Sequence, residues 1–215
     1  MNRNLLILPL LYLCAGRPAT AQKTWDLKKD QDGIRIYSRP DDSSRCNDLK
    51  VETTVAAKLS SLAALILDTD NYPNWVFSTE KTAVLKKIGP ADLYFYDLIN
   101  SPWPASDRDL IVRLHLHQDS PTRVLYIKAD EIANYIPEKK GIVRVPLSIE
   151  RWTITPLPGD KIQISYELRL DPGAAVPGWL INMFSTKGPF ETFTRLRDQL
   201  KRPKYRDATL PFIKN

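Results

Sequence analysis

"KIQISYELRLDPGAAVPGWLINMFSTKGPFETFTRLRDQLKRP", residues 161–203, passes from one hydrophobic period to another. In its first ten residues Ile162, Ile164, Tyr166, Leu168 and Leu170 alternate with Lys161, Gln163, Ser165, Glu167 and Arg169. That is the period-two pattern of a strand with one apolar and one wet face. Beyond Asp171 the spacing changes. Pro177 suits a first helical turn, and Val176, Leu180, Met183 and Phe184, then Phe193, Leu196 and Leu200, mark an apolar helical stripe. Gly188 and Pro189 predict a kink in this helix. A half-apolar strand beside a long half-apolar helix implies two layers, each burying its apolar side on the other.

Upstream the chain is rich in strands. In "KKDQDGIRIYSR" (28–39), Asp32 and Gly33 precede an alternating run, which reads as a hairpin. In "DLKVETTV" (48–55), Leu49, Val51 and Val55 share one face while Lys50, Glu52 and Thr54 share the other. "SSLAALILDTDNYPNW" (60–75) carries Leu62, Leu65 and Ile66 at helical spacing, with Ser60 or Ser61 as the cap and Pro73 as the stop. From Thr79 to Leu170 a run of antiparallel strands is expected, so the class is α+β.

The first residues have a short positive start, an apolar run from Leu5 to Ala15 and small residues at Ala19 and Ala21, the layout of a cleavable secretory signal. Cleavage is expected after Ala21, with export to a periplasmic or extracellular location. Leu13 before Cys14 is not the small residue that a lipid-modified start requires. Loss of Arg3 and Arg17 lowers the formal charge of the 215-residue chain from +6 to +4. The remaining Lys and Arg residues are scattered, which disfavours nucleic acid as a partner and leaves weak attraction to an anionic membrane surface. Only Cys46 survives cleavage, so stability must come from a core and not from an internal disulfide. The expected layout is a signal over residues 1–21, one domain over 22–203 and a tail over 204–215.

Four further segments carry a resemblance. "NYPNW" (71–75), "SPWPASDRDLIVR" (101–113), "YIPEKKGIVRV" (135–145) with "RWTITPL" (151–157), and "VPGWLINMFSTKGPFETFTRLRDQLK" (176–201) occur in the order seen in START domains, the steroidogenic-acute-regulatory-related lipid-transfer family. The chain resembles an exported bacterial member over about residues 25–202. The resemblance implies a helix-grip fold, a curved antiparallel sheet wrapped around a long C-terminal helix with an apolar internal cavity for a lipid, sterol or acyl compound. It further implies a monomer that touches membranes transiently and works by reversible enclosure, not as an enzyme.

Many animal members pair a cavity-facing acid with a base six positions after the Arg of the Arg-Asp pair. Here the acid best matches Asp97, on the face of Leu93, Phe95 and Ile99, whereas the position six after Arg108 is Leu114. Alternation puts Leu110, Val112, Leu114 and Leu116 on one face and Asp109, Ile111, Arg113, His115 and His117 on the other. The acid–base pair is therefore expected to be absent, and the cavity more apolar. A bulge that returned Arg113 to the interior would overturn this expectation.

The expected ligand-binding residues are Phe95, Asp97 and Leu114 from the sheet and Met183 and Phe184 from the helix. Trp103, held in a stiff loop by Pro102 and Pro104, and Trp179 are expected at the cavity mouth or membrane contact. Trp75 and Trp152 read as core. His115 and His117, the two histidines of the chain, have no cysteine cluster beside them and read as a wet face, so no metal is expected. Asp68 and Asp70 lack the glycine of a calcium loop, Cys46 reads as an exposed thiol in a polar turn, and no phosphate loop or nucleophile elbow occurs, so no cofactor is expected. The alternative is a helix-grip enzyme of the cyclase or hydrolase type, for which Asp97 is the one candidate group.

Overall fold

The computed structural model describes residues 24–41, 44, 46–173 and 176–215. The signal segment expected over residues 1–21 lies outside the described residues. Strands β1 (Asp26–Gln31), β2 (Ile34–Arg39) and β3 (Asp48–Ala56) lead to helix α1 (Leu59–Leu67) and a 3-10 turn, Thr69–Asn74. Strands β4 (Thr79–Gly89), β5 (Asp92–Ile99), β6 (Arg108–Gln118), β7 (Leu125–Glu131), β8 (Val143–Arg144), β9 (Leu147–Leu157) and β10 (Lys161–Asp171) follow. The chain closes with α2 (Gly178–Asn182), a π turn over Met183–Lys187, α3 (Gly188–Lys201) and α4 (Pro203–Arg206).

The sheet runs β1-β2-β3-β10-β9-β7-β6-β5-β4, with the two-residue β8 added parallel to β6. All the other pairings are antiparallel. The β1–β2 hairpin turns at Asp32 and Gly33, both at positive φ (51° and 68°), as a tight two-residue turn requires. Register shifts between Val84 and Lys86 and between Lys87 and Gly89 mark bulges in β4, which bend and twist the edge of the curved sheet. The concave face carries Val51, Ile154, Ile164 and Tyr166 against Phe193, Leu196 and Leu200 of α3.

Two local expectations are corrected. Ser60 and Ser61 lie inside α1, whose N-cap is Lys58, and their hydroxyls donate to the Ala208 and Arg206 carbonyl oxygens. The Ser60 N–H is taken instead by the side chain of Asn215, so the far C-terminus caps this helix. Pro73 sits within the 3-10 turn after α1 has ended. The C-terminal residues 204–215 pack on the rest of the domain: Tyr205 and Ile213 are buried, and the Tyr205 hydroxyl donates to Asp68 at 2.6 Å.

The kink expected at Gly188–Pro189 takes the form of the π turn just ahead of α3. Proline lacks an N–H and its ring collides with the carbonyl four residues back, here that of Ser185, so the helix widens before it. None of Met183–Lys187 is buried. Gly188 is required by close approach, because a Cβ there would meet Phe77 Cδ1 at 2.9 Å.

Candidate functional site

The widened helix leaves space above the sheet. Two chambers, of about 230 Å³ and about 190 Å³, lie between the sheet and the C-terminal helices. They meet at Leu49, Ile99, Leu168, Leu170 and Phe184, which line both. Each falls below the roughly 300–1,000 Å³ usual for a small-molecule pocket, and jointly they fall within it.

The outer chamber lies under Leu180, Ile181 and Phe184 and is bordered by Cys46, Asn47, Pro172 and Val176. The expectation that Cys46 is exposed is corrected: it is half-buried on this wall, and burial pushes its thiol above the ordinary value. The charged group on the wall is Arg108, 6% exposed. Its Nη1 donates to the Ser106 carbonyl oxygen and to Ser101 Oγ. Asp107 accepts the Ser101 N–H at 2.8 Å, while Asp109 pairs with Arg144 at 2.7 Å. Burial pulls the Arg108 guanidinium down from its ordinary value, opposed by the charge of Asp107.

The inner chamber is walled by aromatic rings and two carboxyls. Tyr72 stands edge-on to Trp75 and Phe95, at ring centroid distances of 5.2 and 5.5 Å. Trp152, Tyr166 and Phe193 stack within 4.6–5.7 Å of one another. Asp97, 9% exposed, projects from β5, and its Oδ1 meets no donor at hydrogen-bond geometry among the described residues. Burial pushes its carboxyl up to about 7, the charge of Glu150 adds to the rise, and the Thr79 hydroxyl pulls back.

Glu150 was not anticipated, although alternation places it on the face of Ser148, Trp152 and Ile154, a signal open to sequence reading. Burial raises it to about 7 as well, against hydrogen bonds from Trp152 and Tyr166. Two strands, β7 and β6, separate it from Asp97 in the sheet order. On a flat sheet that would be roughly 14 Å; curvature turns both carboxyls toward one space.

Phe95, Asp97, Leu114 and Phe184 line the chambers, as does the wall position Leu110. Met183 lines neither; it is half-buried in the π turn. Trp103 is 90% exposed and Trp179 is 49% exposed, both away from the chamber walls. Arg113 points outward and forms a two-pronged ion pair with Asp92 at 3.1 and 2.7 Å, so no bulge returns it to the interior. No base faces Asp97 across the inner chamber among the described residues, yet the interior is less apolar than expected, since it holds Glu150 and Arg108 besides. His115 shares the Asp92 site at 3.4 Å, and no cluster of three potential metal ligands occurs among the described residues.

A family model for the START domain matches residues 15–206. The chain is 30% identical over 174 residues to an uncharacterized protein of Pseudomonas aeruginosa, covering 80% of this chain and 85% of that one. It is 27% identical over 177 residues to the phosphatidylcholine transfer protein of Rattus norvegicus, covering 80% and 81%. A crystal structure of a STAR-related lipid transfer protein from Xanthomonas axonopodis superposes with a TM-score of 0.75 at 26% identity, covering 83% of this chain and 99% of that one. A curved ten-stranded sheet gripping a C-terminal helix, together with a family match across most of its length, means that the chain belongs to the START domain family.

Proposed function

We propose that this protein encloses one hydrophobic ligand, a lipid, sterol or acyl compound, in its paired chambers and releases it without chemical change. The observation that carries this reading is the joined, mainly apolar space between sheet and helix, roofed by a stretch of helix that is not fully buried. Moving an apolar molecule from a membrane into such a space keeps its surface out of water at both ends of the journey. The roof from Gly178 to Lys187 is the part that opens, because a π turn with no fully buried residue has the least packing to lose. Phe95, Leu114 and Phe184 contact the ligand, with Asp97 as its polar neighbour.

Trp103 and Trp179 serve as membrane contacts in this reading, being large amphipathic rings on exposed element ends. The leader-like first residues support an exported, periplasmic or secreted protein, which in this reading works as a monomer. The test is native mass spectrometry of residues 22–215 purified from their own host, with organic extraction of whatever accompanies them. A stoichiometric lipid or sterol supports the reading; an empty protein that also refuses added fluorescent lipids and sterols refutes it.

A second reading, an enzyme, has one specific observation in its favour. Asp97 and Glu150 both sit near 7 in a sheltered chamber, the range in which a carboxyl exchanges protons readily. No histidine or cysteine lines that chamber to act as nucleophile. Recovery of a bound compound chemically altered after incubation would favour this second reading over the first.

A further inference from the structure

We infer that the outer chamber is a seat for an oxyanion, and that the ligand is an acyl-chain amphiphile whose single negative charge docks on Arg108. The inference rests on the proposal that the chambers hold a hydrophobic ligand, and it names the end of that ligand which the protein recognises.

Of the arginines buried or half-buried among the described residues, Arg108 and Arg197 have no carboxylate within 4 Å; Arg197 is held by Thr53 and by the Asp32 and Gly33 carbonyl oxygens, and only Arg108 lines one of the two chambers. Arg39, Arg144 and Arg151 each have a carboxylate partner. Among the described residues no carboxylate lies within 4 Å of Arg108, and Nη1 alone finds acceptors, one carbonyl and one hydroxyl, both neutral. Nε and Nη2 find no acceptor among the described residues, on a side chain that is 6% exposed. A buried cation without a counter-ion is costly, and folded proteins pair such charges. The missing partner is supplied when a ligand brings its own anion, for which a guanidinium offers a two-pronged grip on carboxylate or phosphate oxygens.

Asp107 acts on Arg108 through its charge without a contact within 4 Å, its Oδ1 being taken by the Ser101 N–H, and Asp97 does not fill that role either. In the β5–β6 register Ile99 faces Arg108 and Asp97 faces Leu110, so Asp97 and Arg108 are diagonal neighbours on one sheet face. They form no ion pair, because Arg108 reaches the other way, toward the loop at Ser101 and Ser106. The two polar stations are therefore separate. An anion at the inner end would face the carboxyls of Asp97 and Glu150, so the tunnel holds a charged amphiphile in one direction, charge outward at Arg108 and tail inward. Among the described residues the remaining polar side chains of the outer wall, Ser38, Asn47 and Ser185, are neutral, which matches one negative charge and not two.

Three probes with the same tail test this: hexadecanoate, the monoanionic diester hexadecyl methyl phosphate and hexadecanol, titrated into delipidated protein at pH 7.5 below their aggregation limits. The expected result is that at least one of the two anions binds about ten- to a hundredfold more tightly than the alcohol, the usual worth of a charge-assisted hydrogen bond. Which anion binds better tells a carboxylate from a phosphate source. Arg108→Met should abolish the preference and still bind hexadecanol as the parent does, and Arg108→Lys should restore part of it. Equal affinity for all three probes in the parent protein overturns the oxyanion seat while leaving the cavity reading intact. An Arg108→Met protein with parental thermal stability that loses hexadecanol as severely as the anions also overturns it, since Arg108 then only holds the loop. Binding of none of the probes overturns both this inference and the cavity reading beneath it.

Discussion

The inner chamber is closed by regular, fully packed elements, while the outer chamber is roofed by a short helix and a π turn. At the inner end Phe193 is buried against Trp152 and Tyr166. At the outer end Phe184 is half-buried and meets Phe77 edge-on at 5.6 Å. Their chemistry differs in the same sense: the inner end holds two carboxyls that burial raises to about 7, the outer end one guanidinium with no carboxylate within 4 Å among the described residues. In the proposed reading one helix clamps the fold with its second half and gates it with its first, and the widening ahead of Pro189 separates the two.

Truncation breaks the comparison most directly. Phe193→Ala should cost about 3–5 kcal/mol in urea unfolding, because the inner end cannot collapse around the void. Parental stability in that variant would show the clamp to be absent.

The pH dependence is the next largest effect. Asp97 and Glu150 are raised from their ordinary range to about 7, so the folded state holds protons that the unfolded state has released. Their stabilisation is complete below about pH 4 and is lost as pH rises through 7. Asp97→Asn should flatten that slope in part and leave the share of Glu150. Asp92 on the outer face behaves oppositely. The Arg113 hydrogen bond holds its carboxyl below the usual range, so its contribution is present above about pH 4 and fades as pH falls. A stability curve that is flat between pH 4.5 and 7.5 would contradict the account of the inner end.

Phe184→Ala, at the gate, should cost less, about 1–2 kcal/mol. It should also speed exchange of a bound fluorescent fatty acid, which Phe193→Ala should not do at matched stability. The smallest effect belongs to Glu150→Gln. Removal of that charge should lower the midpoint of Asp97, followed by carboxyl carbon NMR, by about half a pH unit. An upward shift would mean that Glu150 acts chiefly as a donor to Asp97 and not as a like charge.

Much of this was legible in the chain. The alternation of Ile162, Ile164 and Tyr166 and the stripe of Phe193, Leu196 and Leu200 placed one face of strand and helix correctly. The phase of β6 sent Arg113 outward, as found. Met183 was placed on the cavity wall from its position on the stripe, but the π turn rotates it away from both chambers, because helical spacing assumes 3.6 residues per turn and the widened turn does not keep it. Glu150 was readable from its place two residues before Trp152, and only the missing prompt of a partner hid it.

By itself the sequence determined the layers and the facing of side chains in the regular strands and in α3, since periodicity and alternation are properties of a few consecutive residues. The tertiary structure alone decided that the space between the layers stays open, that Asp97 and Glu150 share it from separate strands, and that Arg108 turns away from Asp97 to a loop. Those outcomes depend on sheet curvature, on desolvation and on which distant groups meet, and no local pattern in the chain carries that information.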